Sequence, residues 1–401
     1  MRTARHALIL GGFTAFGPLA VDMYLPALPS MATDLRTGDA TLQITLAAFV
    51  VGLGLGQLVI GPLSDAFGRR RPLLAGVAVF IAASVVCTVS PSIEVLIAAR
   101  VVQAFGAAAG MVIARAAVRD LYSGVAMARF FSMLMLVTGL APILAPVIGG
   151  QLLAIASWRG IFAALTVFGG VLLVVAAFVL PETLPSRLRK PARPGAIVRT
   201  YGTLLRDRVF VGYALAGGLA FAALFSYISN SSFVLQEVYG LSPQQYSLVF
   251  GTGGLGLVLA GQVNGRIVGR VPQRTLLRIG LVAGAAGSLG LVAATALDLG
   301  LTGVLPPLFL AVSSIGMIMP NATSLALADH PDTAGTASAL LGVVQFSSGG
   351  VASALAGIVG GASALPMAAI MTAFGVLALL SFAVLTRRRV RPVQQYATAQ
   401  A

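Results

Sequence analysis

Residues Gly61 to Arg70 read GPLSDAFGRR, and residues Gly261 to Arg270 read GQVNGRIVGR. Each decad follows a long apolar run, opens on glycine and closes on arginine, so the second is a degraded echo of the first. A decad repeated in the second half of a 401-residue chain points to two parallel-related copies of one unit. The echo is weak by itself, and the runs around it decide the matter. Reading outward, apolar stretches fall near 7–28, 41–64, 73–91, 94–118, 130–152, 160–180, 209–232, 245–264, 277–297, 302–327, 335–360 and 364–386. About 20 apolar residues cross the hydrocarbon core as a helix. Runs this long and continuous, rather than short and alternating, select helices over a barrel. The expected fold is all-α and membrane-integral, with twelve transmembrane helices in two six-helix pseudo-symmetric bundles.

Composition agrees. The chain is 58% hydrophobic and 9% charged, with mean hydropathy +0.95; a soluble domain carries about 25% charged residues. The net charge of +14 does not indicate nucleic acid, because the arginines fall in short gaps without the interleaved aromatics of a base-stacking groove. Cys87 is the single cysteine and His6 and His330 are the two histidines, so neither a disulfide framework nor a Cys- or His-rich metal site is expected. The one lysine, Lys190, follows Arg189, which excludes the Gly-Lys of a phosphate-binding loop. No Gly-x-Ser-x-Gly elbow and no His-Glu-x-x-His zinc motif occurs. Gly251, Gly253 and Gly256 spell G-x-G-x-x-G inside an apolar span. No acid follows about 20 positions later, so helix packing is the better reading. No enzyme chemistry, cofactor or metal is expected.

Of the 26 basic residues, all but Arg36, Arg100, Arg115 and Arg159 fall on one side of the membrane if both termini are cytoplasmic. The positive-inside rule therefore places the termini there, and an odd number of spans would scramble the bias. Arg2 and Arg5 before an apolar run resemble a secretory signal. No small-x-small cleavage pattern follows, however, and a retained first helix is expected. The longest polar stretch divides the chain into an N-terminal bundle at 1–180, a cytoplasmic linker at 181–208 and a C-terminal bundle at 209–401 with a short basic tail. Small residues recur every four positions at Gly52 and Gly56, and at Gly349, Ser353, Gly357 and Gly361. Such ladders suit either static close packing or a surface that slides between conformations.

Two charges stand within spans. Asp22, in GPLAVDMYLPALP, is costly near mid-bilayer, by about 2.5–3.5 kcal/mol on insertion scales. Desolvation there favours the neutral acid, so the group is suited to loading and releasing a proton. Arg100, in LIAARVVQAFGAAAG, lies at matching depth, because spans 1 and 4 run in opposite senses. The two are expected either to form a permanent ion pair or to act as a switch whose separation sets proton affinity. Arg115, Arg119 and Asp120 read as interfacial anchors.

GPLSDAFGRR, with Gly61, Asp65, Gly68, Arg69 and Arg70, resembles the loop 2–3 motif of the major facilitator superfamily; Ala66 replaces the usual basic residue after the acid. The resemblance implies that Asp65 meets the cytoplasmic N-terminus of helix 11 in an outward-open state. Arg100, Gln103 and Gly106 are similar to the superfamily's proton-coupling motif. APILAPVIGG, with Pro142, Pro146, Gly149 and Gly150, looks like the antiporter motif of drug exporters, although Ala141 and Ala145 stand at two glycine positions. VDMYLPALP, SWRGIF and PETLP (Pro181, Glu182, Thr183) resemble the bicyclomycin and chloramphenicol resistance subgroup. That resemblance implies a drug:proton antiporter in which Asp22 exchanges protons against drug.

The expected activity is export of small amphipathic drugs or antibiotics by alternating access, driven by a proton gradient, by a monomer in the bacterial inner membrane. A dedicated exporter of one metabolite or self-made antibiotic is the first alternative, and a non-transporting receptor or scaffold the second. Expected cavity residues are Asp22, Tyr24, Gln57, Gln103, Met133, Phe221, Phe225, Tyr227, Asn230, Asn264, Asn321 and Gln345. The polar ones would face a cavity rather than lipid. Phe221 and Phe225, four apart on one helix face, suit either stacking on a drug or packing.

Overall fold

A computed structural model describes residues 2–122, 124–189, 194–330, 333–359 and 363–386. Among these residues, twelve helices of at least 19 residues account for the twelve apolar runs. They are α1 (Arg2–Asp22), α3 (Asp39–Phe67), α4 (Arg70–Thr88), α5 (Ile93–Leu121), α6 (Gly124–Ile155) and α7 (Trp158–Val179) in the first half. The second half holds α9 (Arg208–Phe233), α10 (Pro243–Ile267), α11 (Gln273–Ala296), α12 (Gly300–Leu327), α13 (Ala334–Val359) and α14 (Leu365–Leu385). Two shorter helices are α2 (Leu28–Asp34) and, inside the polar stretch, α8 (Pro194–Arg206). Gly361 of the second ladder, Lys190, Arg193 and the arginines of the tail lie outside the described residues.

The halves repeat one packing scheme. In the first, α1 packs on α5, α6 and α7, α3 on α5, and α4 on α5 and α7. In the second, α9 packs on α12, α13 and α14, α10 on α12, and α11 on α12 and α14. Shifting each first-half pair by one six-helix unit reproduces the second-half pairs. The halves meet through α3 against α13 and α6 against α10, pairs that the same shift exchanges.

The ladders divide between these two kinds of contact. A Cβ on Gly52 would stand 2.9 Å from Ala104 Cβ, and one on Gly56 2.8 Å from Ala108 Cβ. That ladder is static packing of α3 on α5. The second ladder lies across the halves: Ser353 donates to the Gln43 carbonyl at 3.2 Å, and a Cβ on Gly357 would stand 3.0 Å from the Ala40 carbonyl oxygen. Gly251, Gly253 and Gly256 face Ile143, Val312 and Ser313, so the dinucleotide-like glycines let α10 approach α6 and α12.

The first span departs from expectation. Its apolar run continues to residue 28, but the helix ends at Asp22, turns at Met23 and Tyr24, and continues as a single 3-10 turn, Leu25–Ala27, before α2. Pro26 has no N–H to give an α-helical turn and disfavours helical geometry at Leu25. α9 is also irregular at the same end of the molecule, passing into a π-helical turn at Val234–Val238.

Candidate functional site

Asp22 is the last residue of α1 and is 4% exposed. Among the described residues its carboxylate has no hydrogen-bond or ion-pair partner. Tyr227 of α9 and Tyr246 of α10 lie within electrostatic reach of it from the other half. Those two rings flank Phe250, with Tyr227 stacked on it at 5.4 Å and Tyr246 tilted at 5.8 Å. The acid therefore sits where the break in α1 meets the second half.

Arg100 does not pair with it in this conformation. The arginine is fully buried inside the first half. Its Cζ lies 4.2 Å from the Phe49 ring centroid, 4.6 Å from Tyr24 and 5.8 Å from Phe162. Its Nη1 donates to Gln103 Oε1 at 2.6 Å, and Gln103 Nε2 donates to Ser84 at 2.7 Å, while Nε and Nη2 have no hydrogen-bond partner among the described residues. The two charges were expected at matching depth, but depth does not fix the direction in which a helix presents them, and here Arg100 turns toward Tyr24, Phe49 and Phe162. Tyr24 and Gln103, expected in the cavity, instead form part of this enclosure. Tyr24 also holds Thr45 through its hydroxyl at 3.0 Å.

The halves are joined at the end that carries Asp34. Ser232 donates to the Leu25 carbonyl at 2.5 Å, and Gln236 to the Pro26 carbonyl at 3.2 Å. Gln244 donates to the Gly150 carbonyl at 3.1 Å, and Ser247 lies 2.8 Å from the Pro146 carbonyl. Gln43 Nε2 donates to Asn230 Oδ1 at 2.9 Å, which places Asn230 in this seal. The α1 break supplies two of the carbonyls, those of Leu25 and Pro26. Gly149 makes the approach of α6 possible: a Cβ there would stand 1.8 Å from the Met23 carbonyl oxygen. Gly150 does the same toward Ser247 of α10, at 2.6 Å. Pro142 lies two turns before Gly149 on α6, half-buried.

At the opposite end α3 loses its inter-half neighbours. A Cβ on Gly61 meets nothing within 4 Å. The loop motif here is a closed network of the first half. Arg69 donates to Asp65 at 2.5 Å, to Asp120 at 2.8 Å and to Ser64 at 2.8 Å. Burial disfavours the Arg69 cation, but the Asp120 and Asp65 carboxylates outweigh that and strengthen its hold on the proton. Asp65 keeps a 54% exposed side chain.

Glu182, just after α7, accepts the N–H groups of Arg69 at 2.7 Å, Arg70 at 3.3 Å and Leu184 at 3.0 Å, capping the start of α4. Desolvation works against its charge, yet these donors and Arg189 hold its carboxyl below the ordinary range. Gly68 adopts φ +89°, and a Cβ there would collide with the Glu182 carboxylate at 2.4 Å. Arg70 reaches the Ala177 carbonyl at 2.6 Å, and Thr183 donates to Asp120 at 3.1 Å. Sequence reasoning read Asp120 as an interfacial anchor and Glu182 and Thr183 only as part of the PETLP signature; their bonds to the loop motif and to each other become visible only in the fold.

Of the remaining expected cavity residues, Asn264 and Asn321 bond each other at 2.6 Å inside the second half, so they join α10 to α12. Tyr227 and Phe225 are buried, whereas Gln57, Phe221 and Gln345 are half-buried near the middle of the inter-half contact. Met133 lies on α6, and its side chain is outside the described residues.

The fold and this arrangement define a secondary transporter rather than an enzyme. The sequence profile of the Major Facilitator Superfamily matches residues 9–354, and the chain belongs to that family. It is 41% identical to the MFS-type transporter YdgK of Bacillus subtilis over 96% of both chains. It is 33% identical to the bicyclomycin resistance protein homologue of Haemophilus influenzae over 96% of both, and 33% identical to multidrug resistance protein D of Escherichia coli over 86% of both. The fold superposes on the xylose transporter XylE from E. coli with TM-score 0.73 at 15% identity, covering 94% of this chain and 96% of that one. The chain is therefore a multi-pass bacterial membrane transporter of small molecules.

Proposed function

We propose that this transporter exports small amphipathic compounds, drugs or antibiotics of the chloramphenicol and bicyclomycin kind, in exchange for protons. The observation that carries the reading is Asp22: a buried carboxylate without a partner, at a helix break, against the face of the opposite half. An acid locked into a structural ion pair would have a cation beside it, and Arg100 is enclosed elsewhere. The names of the relatives from H. influenzae and E. coli support the substrate class.

In this reading the two units are residues 1–180 and 209–401, joined by 181–208. The Arg69 end faces the cytoplasm with both termini, as the distribution of arginines favours, and the carrier works as a monomer in the cell membrane. The conformation described is closed outside and parted inside. Opening outside would break the carbonyl contacts of Leu25, Pro26, Pro146 and Gly150 and hydrate Asp22, which then takes a proton. Closing outside and deprotonating inside resets it. Coupling requires that proton and substrate each bind the two states with different free energies. Asp65, paired with Arg69 but still exposed here, would also engage α13 when the inner end closes.

The test is ethidium and chloramphenicol flux by purified protein in liposomes under an imposed pH gradient. Wild-type flux follows the gradient and Asp22→Asn flux does not. Equal, gradient-independent flux in both would defeat the assignment and leave facilitated diffusion.

A further inference from the structure

Halfway along the α3–α13 contact the packing changes character. Toward the Asp34 end the two helices touch closely, through Gly357 on Ala40 and Gly350 on Val51. The close contact ends at Phe346, whose Cβ would stand 3.1 Å from a Cβ on Gly54, and at Gly342, opposite Gln57 Oε1 at 3.3 Å. Beyond it Gly61 meets nothing. A compound entering from the parted end therefore arrives first at Gln57 and Phe346. Gln57 Nε2 is buried there without a hydrogen-bond partner among the described residues. A buried amide donor without an acceptor costs about 1–3 kcal/mol, so this position is ready for an acceptor that the protein does not itself provide.

The rings beside it form a platform. Phe221 stands edge-on to Phe346 at 5.7 Å and tilted to Phe225 at 5.5 Å. Gly349 keeps α13 bare beneath them, since a Cβ there would come within 2.9 Å of Phe221. No charged side chain is among these groups. Asp22, Tyr227 and Tyr246 are 4%, 2% and 0% exposed and belong to the sealed part.

We propose that Gln57, Phe221 and Phe346 form a substrate subsite, separate from Asp22, for uncharged ring compounds that carry a hydrogen-bond acceptor such as a carbonyl or nitro group. The inference rests on the export reading and adds to it a division of labour. The substrate binds at the amide and rings, and the acid takes no part in holding it.

The experiment measures chloramphenicol and ethidium binding to the purified full chain by calorimetry, for wild type and Gln57→Leu. Chloramphenicol offers carbonyl and nitro acceptors, and ethidium is a cation without them. The subsite requires the affinity ratio to shift about 3- to 10-fold against chloramphenicol, the range of one neutral hydrogen bond; an unchanged ratio overturns it. Phe346→Trp provides a local reporter, because Trp158 is the only native tryptophan and lies at the Asp34 end. Chloramphenicol quenches the new tryptophan with the affinity seen by calorimetry; binding without that quenching overturns the location. Wild type that transports ethidium on a pH gradient but binds no chloramphenicol overturns the substrate class and leaves export standing. Wild type that transports neither overturns the export reading and the subsite with it.

Discussion

Replacing Ser232 and Gln236 together with alanine removes two hydrogen bonds that cross between the halves, those to the Leu25 and Pro26 carbonyls. It also removes the bond between the two side chains, 2.7 Å within the second half. That third bond does not depend on contact with the first half, so it contributes little to the difference between conformations. The Leu25 carbonyl keeps the Leu28 N–H after the substitution and is not orphaned. Each lost crossing bond is then worth its net value of about 1 kcal/mol rather than a full desolvation penalty. Two amount to about 2 kcal/mol, or about 30-fold in the ratio of outward-open to outward-closed carrier. The assay is a distance measurement between spin labels at Thr33 and Glu237, both exposed at the sealed end, with Cys87, the only native cysteine, replaced. The long-distance population should rise by that factor while thermal stability of the purified protein changes little. An unchanged distribution in a folded double variant would refute the assignment of these contacts as the seal.

Other expectations concern the two packed motifs. Gly149→Ala forces a Cβ into the Met23 carbonyl oxygen; overpacking of this kind costs about 1–3 kcal/mol, and liposome flux should be lost with a lowered melting temperature. Glu182→Gln should lower thermal stability by about 1–3 kcal/mol at neutral pH, because it weakens charge-assisted bonds to the start of α4. The sign of the pH effect follows from a carboxyl held below its ordinary range. Its stabilisation is complete above the unfolded value of about 4.3 and is lost as pH falls through the lower folded value. Wild-type melting temperature should therefore carry an acid-side decline below about pH 4 that Glu182→Gln lacks.

The twelve spans were legible because lipid imposes length and apolarity on every crossing helix, whatever its neighbours. The repeat of packing pairs was foreshadowed by the echoed decad. The break after Asp22 escaped a reading based on apolarity, although Pro26 and Pro29 stand in the sequence; hydropathy counts side chains and is blind to missing backbone donors. α8 escaped for a different reason: Ile197, Val198, Tyr201, Leu204 and Leu205 recur at helical spacing, but a search for spans passes over a short amphipathic helix in an arginine-rich stretch. The surroundings of Arg100 were not legible, since its three rings come from the α1 break, α3 and α7 and converge only in the folded bundle. Gly149 and Gly150 were found by motif, but their contacts, one to the α1 break and one to α10, depend on the azimuth of α6. Glu182 was visible only as a letter in a signature. Its role depends on a chain reversal that returns the end of α7 to the start of α4.

In the seal, four contacts pair a donor side chain of the second half with a main-chain oxygen of the first: Ser232 with Leu25, Gln236 with Pro26, Gln244 with Gly150 and Ser353 with Gln43; Ser247 shares its one proton between the Pro146 carbonyl and its own Pro243 carbonyl. Among the described residues, only Gln43 with Asn230 joins two side chains across this boundary. Main-chain oxygens survive every substitution that preserves the course of the chain. The first half can therefore vary its side chains along this boundary without losing acceptors, and the burden of matching falls on the second. Mutational drift is thus unequally tolerated: away from Gln43, Gly149 and Gly150 the lineage can reshape the first half's side of this boundary, but it must keep hydroxyls and amides at a few fixed stations of the second.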